Sequence, residues 1–83
     1  MKPFDLEKAL QGEPVKLHNG CKAYIVYRVP DKYYDYPEHS YPLVGFSLTR
    51  DGKLANNGLT WTIDGEFNLT VDFSPTDIVG MWD

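Results

Sequence analysis

The chain has 83 residues, of which 42% are hydrophobic, and a formal net charge of −4. A chain of this size has room for one core, so a single domain over residues 1–83 is expected, and the apolar share is too high for a disordered segment. The single cysteine excludes an internal disulfide, and no apolar stretch approaches the ~18 residues of a membrane span.

The opening MKPFDLEKAL contains Asp5 and Glu7 and no apolar run of signal-peptide length. The expectation is therefore a cytoplasmic protein with no membrane contact. The same stretch, continued through QGEP, predicts a short helix. Asp5 suits the N-cap or first turn, where a carboxylate meets the positive helix end. Phe4, Leu6 and Leu10 form its apolar stripe, and Gly12 and Pro14 stop it. Two turns are too short to be stable alone, so the helix must pack on something else.

The remainder reads as strands. Val15, Lys16 and Leu17 alternate, and Asn19 with Gly20 supplies a hairpin signal. Residues 21–29 form a second strand with Ala23, Ile25, Tyr27 and Val29 on one face and Lys22, Tyr24, Val26 and Arg28 on the other. Residues 43–49 form a third. Asp51 and Gly52 turn into a brief strand over 53–55, and Asn57 and Gly58 turn again. Over 59–63, Leu59, Trp61 and Ile63 share one face. Asp64 and Gly65 lead into Phe67, Leu69, Val71 and Phe73. Ser74 and Pro75 break that strand, and residues 78–82 form a last edge strand. Four Asn-Gly or Asp-Gly pairs without a fixed period describe a meander rather than a repeat array. The predicted fold is mainly β: a strongly bent antiparallel meander or half-barrel of five or six strands with one short N-terminal helix.

Catalytic chemistry finds little support. Cys21 and His18 flank a turn, but no third group is placed to orient the histidine. A lone cysteine at a strand start is more simply a small buried hydrophobe. No Cys-x-x-Cys, His-x-x-x-His or calcium-loop spacing occurs, so neither metal nor cofactor is expected. The glycines sit in turns and form no phosphate loop. The reading is that the protein is not an enzyme. If it were a small hydrolase or metal-dependent enzyme, His39 with Asp35 and Glu38 would be the site.

Charge and aromatics point to binding. Residues 1–53 carry all eight basic residues against seven acidic ones, a net +1, and residues 54–83 carry five acids and no base, a net −5. Lys16, Lys22, Arg28, Lys32, Arg50 and Lys53 are scattered, so the basic groove that direct nucleic-acid contact needs is not expected. An acidic surface suits a basic partner instead. Residues 31–42, DKYYDYPEHSYP, hold four of the six tyrosines, two prolines and His39. Tyrosine offers a large contact area with few rotors and a polar tip, and proline lowers the ordering cost of binding. The candidate partner-binding residues are Tyr33, Tyr34, Tyr36 and His39, with Asp64 and Glu66 as a second, acidic surface; the alternatives are a connector that folds back over the open barrel end and a solvated acidic rim that aids solubility. Tyr41 is expected to pack beside the following strand.

The segments FDLEKALQGEPV, HNG, YPLVGF, DGK and WTIDGEF together resemble a set of small uncharacterised proteins carried by bacteriophages and prophages. Those open with a short helix running into G-x-P-V and continue with a YP-[LI]-V-G strand and a W-x-x-D-G hairpin. The likeness spans most of the chain, its motifs are structural, and it brings no active-site residue. The departure is the longer tyrosine insert before Tyr41. The resemblance implies a bacterial cytoplasm and an accessory role in phage biology. The leading expectation is a non-enzymatic interaction module that binds a host or phage protein, with a homodimer through an exposed sheet edge as a further partner. The runner-up is an anti-CRISPR-like inhibitor of a host nucleic-acid-handling defence complex, its acids occupying a phosphate-binding groove.

Overall fold

A computed structural model describes residues 2–71 and 74–83. Helix α1, Leu6–Leu10, precedes strands β1 (Val15–Leu17), β2 (Lys22–Arg28), β3 (Leu43–Leu48), β4 (Leu54–Trp61) and β5 (Ile78–Met81). The strands make one sheet in the order β4-β3-β2-β1-β5, and every neighbouring pair is antiparallel. The first four strands form the predicted meander. β5 returns to pair with β1 on its free side.

The helix starts where the sequence indicates: the Asp5 carboxylate accepts from the Lys8 amide at 3.3 Å. Gly12 follows it at φ +104°, the left-handed stop glycine adopts readily. Its buried residue is Ala9, whereas Leu10 is exposed and Phe4 and Leu6 pack partly buried on the core. The predicted stripe is thus shifted to Phe4, Leu6 and Ala9, with Leu10 exposed at the last position of the helix.

Three corners share one geometry. Gly20, Gly52 and Gly65 have φ of +89°, +81° and +90°, while no other residue type has positive φ among the described residues. A two-residue type I′ turn needs positive φ at both central positions, so it is excluded. Instead the amides of Gly20, Gly52 and Gly65 donate to Leu17, Thr49 and Thr62, and the amides of Leu17, Thr49 and Thr62 donate to Cys21, Lys53 and Glu66. These are three-residue loops closed by a left-handed glycine. The Thr49 and Thr62 hydroxyls also accept from the amides of Lys53 and Glu66.

The fourth pair, Asn57 and Gly58, makes no turn. It lies inside β4, where Gly45 pairs with Leu59 and Ser47 with Asn56. Two residues of β4 thus oppose Phe46, a bulge that Gly58 accommodates at φ +69°. The predicted brief strand over 53–55 and the strand over 59–63 are therefore one element. It ends at Trp61, and Ile63 sits exposed in the next corner. Another irregularity lies in β2, between Ile25 and Tyr27. The extra residue breaks the alternation, so Tyr27, predicted to share a face with Ala23 and Ile25, is 52% exposed while those two are buried.

The predicted strand through Phe67, Leu69 and Val71 does not form, and Phe73 lies outside the described residues. The backbone here is tied to side chains. The Phe67 and Ser74 amides donate to the two carboxylate oxygens of Asp77, each at 2.7 Å, and the Leu69 amide donates to the Tyr41 hydroxyl at 2.9 Å. Those bonds replace a strand ladder. The loop also draws the two outer strands together. The Trp61 indole N–H donates to the Thr76 carbonyl, and the Ile78 amide donates to the Gly65 carbonyl, both at 2.8 Å. The sheet is open but bent.

The core lies on the inner face, with Val15, Leu17, Ala23, Ile25, Leu43, Leu59, Trp61, Ile78 and Met81 meeting Ala9 of the helix. From β3 it takes Leu43, Gly45 and Ser47, while Val44, Phe46 and Leu48 face outward half-buried. On that outer face the Phe46 ring lies 5.5 Å from the ring of Tyr24. Ser47 is fully buried and its hydroxyl has no hydrogen-bond partner. An unmade buried hydroxyl bond costs about 1–3 kcal/mol. Ser47→Ala is expected to leave the protein as stable or to raise its stability by about 1 kcal/mol. A thermal melt checks this, and a clear drop in melting temperature would show that the hydroxyl is satisfied.

Candidate functional site

Residues 30–42 connect β2 to β3. Pro30 precedes a 3-10 turn at Asp31–Tyr33, and Pro37 opens a second at Pro37–His39. The fixed φ of proline suits the first position of a helical turn, where an amide would be unpaired anyway. Each turn closes on itself: the Tyr34 amide donates to Asp31 at 3.0 Å and the His39 amide to Tyr36 at 3.0 Å. The Ser40 hydroxyl donates to the Pro37 carbonyl at 2.7 Å. At the base, the Val29 amide donates to the Pro42 carbonyl at 2.8 Å, and Pro42 is buried. Arg28 and Asp31 form an ion pair at 3.5 Å, and the Lys32 ammonium lies 5.1 Å from the centre of the Tyr33 ring.

The tyrosines divide by this scaffold. Tyr33 and Tyr36 are each 69% exposed. Tyr34 and Tyr41 are half-buried, and the bond from the Leu69 amide fixes the Tyr41 hydroxyl. Tyr34, Tyr36 and His39 line one open hollow of about 470 Å³ together with Asp35, Ser40, Tyr41 and Thr60. Tyr33 stands outside it. Asp64 and Glu66 are exposed in a different corner, over the start of β5, and do not line the hollow. The acidic third is smaller than its sequence suggests, because the Asp77 carboxylate is taken up by two amides of its own loop.

The other sequence candidates are dispersed. Cys21 packs partly buried against the core. His39 and Asp35 share the hollow, but Glu38 does not line it. Among the described residues no three His, Cys, Asp or Glu side chains group so as to hold a metal ion, and no helix is long and apolar enough to cross a membrane. Thr60 is the lining residue with no sequence signal. It reaches the hollow because β4 pairs with β3 and sets Thr60 beside Val44.

Comparison with known proteins gives the family. The family model of Haemophilus phage HP1 protein YO09 matches residues 1–83. The chain belongs to that family. The chain is 51% identical over 90 aligned positions to the "uncharacterized 9.7 kDa protein in cox-rep intergenic region" of Haemophilus phage HP1. The protein of the same description in Haemophilus phage S2 matches equally. Each alignment covers 100% of this chain and 99% of the relative. No solved structure matches the chain. The phage resemblance read from the sequence thus holds at the level of a small phage-protein family, the Haemophilus phage HP1 protein YO09 family.

Proposed function

We propose that this protein is a non-enzymatic phage or prophage accessory protein that acts in the bacterial cytoplasm by binding a host or phage protein through the β2–β3 connector. The observation that carries the reading is the 69% exposure of both Tyr33 and Tyr36 on a backbone held by two prolines and its own turns. Large aromatic rings on a pre-ordered loop lose little entropy on binding and are the usual anchors of protein interfaces. The family's phage setting, and the position of its named relatives in a cox–rep intergenic region, support the accessory role.

Two rival arrangements fit less well. Edge pairing into a homodimer meets obstacles on both sides of the sheet: β4 is bulged, and the outer side of β5 already receives Lys2 and Gly65. Phosphate mimicry by the acidic third loses Asp77 to its internal bonds.

The Tyr33→Ala/Tyr36→Ala double variant is expected to fold as the parent does, since both side chains are exposed. It should lose about thirtyfold or more in partner affinity, the size of an interface anchor. Affinity purification from infected cells, followed by titration of the captured protein, tests this. Undiminished capture by the double variant would overturn the proposal.

A further inference from the structure

We propose that the hollow beside Tyr36 receives a basic side chain, lysine or arginine, of the partner protein. This rests on the connector being the contact surface and names the chemistry it selects. Three tyrosines, Tyr34, Tyr36 and Tyr41, line the hollow together with Asp35. Aromatic faces carry negative charge density and attract an ammonium or guanidinium group, and a nearby carboxylate adds to that attraction. The chain already treats its own cations in this way: Lys22 lies 5.0 Å from the centre of the Trp82 ring and Lys32 lies 5.1 Å from that of Tyr33.

Charge accounting supports the same occupant. Of the connector's charged groups, Asp31 is paired with Arg28 and Lys32 is stacked on Tyr33. Asp35 and Glu38 have no ion-pair partner among the described residues. The connector therefore presents two uncompensated carboxylates on a chain whose net charge is −4. An acidic partner would be repelled there. A purely apolar one would cover Asp35 without replacing its water, which is costly. A cation on a flexible stem satisfies both the carboxylate and the rings. The hollow is shallow and widely open to solvent, with a volume of about 470 Å³, so a side chain on a protein surface can reach it.

The probe is a short glycine–arginine peptide and its citrulline counterpart, the latter identical in shape but uncharged, each titrated to millimolar concentration and followed by amide chemical shifts. The expected result is a set of shifts centred on Tyr34, Asp35, Tyr36, His39 and Thr60, with the arginine peptide binding about fivefold or more tightly than the citrulline peptide. Tyr36→Phe should keep binding within about twofold because the ring face remains, while Tyr36→Leu and Asp35→Asn should each weaken it about fivefold. Equal binding of the two peptides, absence of shifts in the hollow, or indifference to Tyr36→Leu and Asp35→Asn would overturn the assignment. The connector proposal fails separately. If capture of the cellular partner needs Tyr33 and Tyr36 but ignores Asp35→Asn, the connector is the interface and the basic side chain is not its ligand.

Discussion

Trp61→Ala is expected to unfold the protein at moderate temperature. Trp61 is the largest fully buried side chain among the described residues. It stands at the end of β4, opposite Leu43, where the meander hands over to the loop that leads to β5. Its indole N–H donates to the Thr76 carbonyl, so the same residue fills the core and ties the two outer strands. Removing a buried tryptophan costs about 3–5 kcal/mol, and the orphaned carbonyl adds to that. A chain of 83 residues has about 4–12 kcal/mol of stability in total. The expected fall in melting temperature is at least about 12 °C. Trp61→Phe keeps most of the ring and loses only the N–H, so it should fall by a smaller step. A melt of Trp61→Ala within a few degrees of the parent would remove Trp61 from the core.

Gly45→Ala is the second large effect, and its cause is the opposite one. Gly45 sits in β3 opposite Ile25, beside the irregularity in β2, and its φ is not unusual. The requirement is space. A β-carbon at Gly45 would lie 2.9 Å from the Tyr24 carbonyl carbon and 3.1 Å from the Ile25 α-carbon, and it would overlap the Tyr24 carbonyl oxygen outright. All three are backbone atoms of the neighbouring strand, so no side chain can turn away. Overpacking a core costs about 1–3 kcal/mol when side chains can relax, and more when they cannot. Gly45→Ala is expected to lose about 3 kcal/mol or more and to disturb the amide shifts of Tyr24 through Tyr27 first. A melt unchanged from the parent, with those shifts in place, would show that β2 and β3 have slack at this point.

The two variants mark the boundary between what can be read locally and what cannot. The strand-like runs, the corner positions and the helix start depend on interactions only a few residues long. Asp5 caps α1 from three residues away, and Gly20, Gly52 and Gly65 each turn the chain because they alone take positive φ there. The tyrosine crowding of residues 31–42 was equally visible, as were the two prolines that stiffen it. A pair such as Asn57 and Gly58 carries the same local signal, yet it bulges inside β4 because β3 continues alongside it and keeps the ladder paired. Phe67, Leu69 and Val71 alternate like a strand. The Phe67 and Leu69 amides are instead captured by Asp77 and Tyr41, which are 10 and 28 residues distant from the amides that they bind.

By itself, then, the sequence determined a small, acidic, mainly β meander with a short capped helix, Gly-closed corners and one tyrosine-rich connector, since these follow from residue-scale conformational preference and composition. Only the tertiary structure decided which face of β3 is inside. Hydropathy favours Val44, Phe46 and Leu48, but Leu43, Gly45 and Ser47 are buried. The lack of a side chain at 45 lets the backbone of β2 at Tyr24 and Ile25 approach β3 closely, and a one-residue change of register would exchange the two faces. The tertiary structure also decided the hollow. Strand order brings Thr60 to it, and the long-range bond from the Leu69 amide holds Tyr41 there. Spacing along the chain carries no trace of either contact, because one is set by the register of β4 on β3 and the other by a bond between segments 28 residues apart.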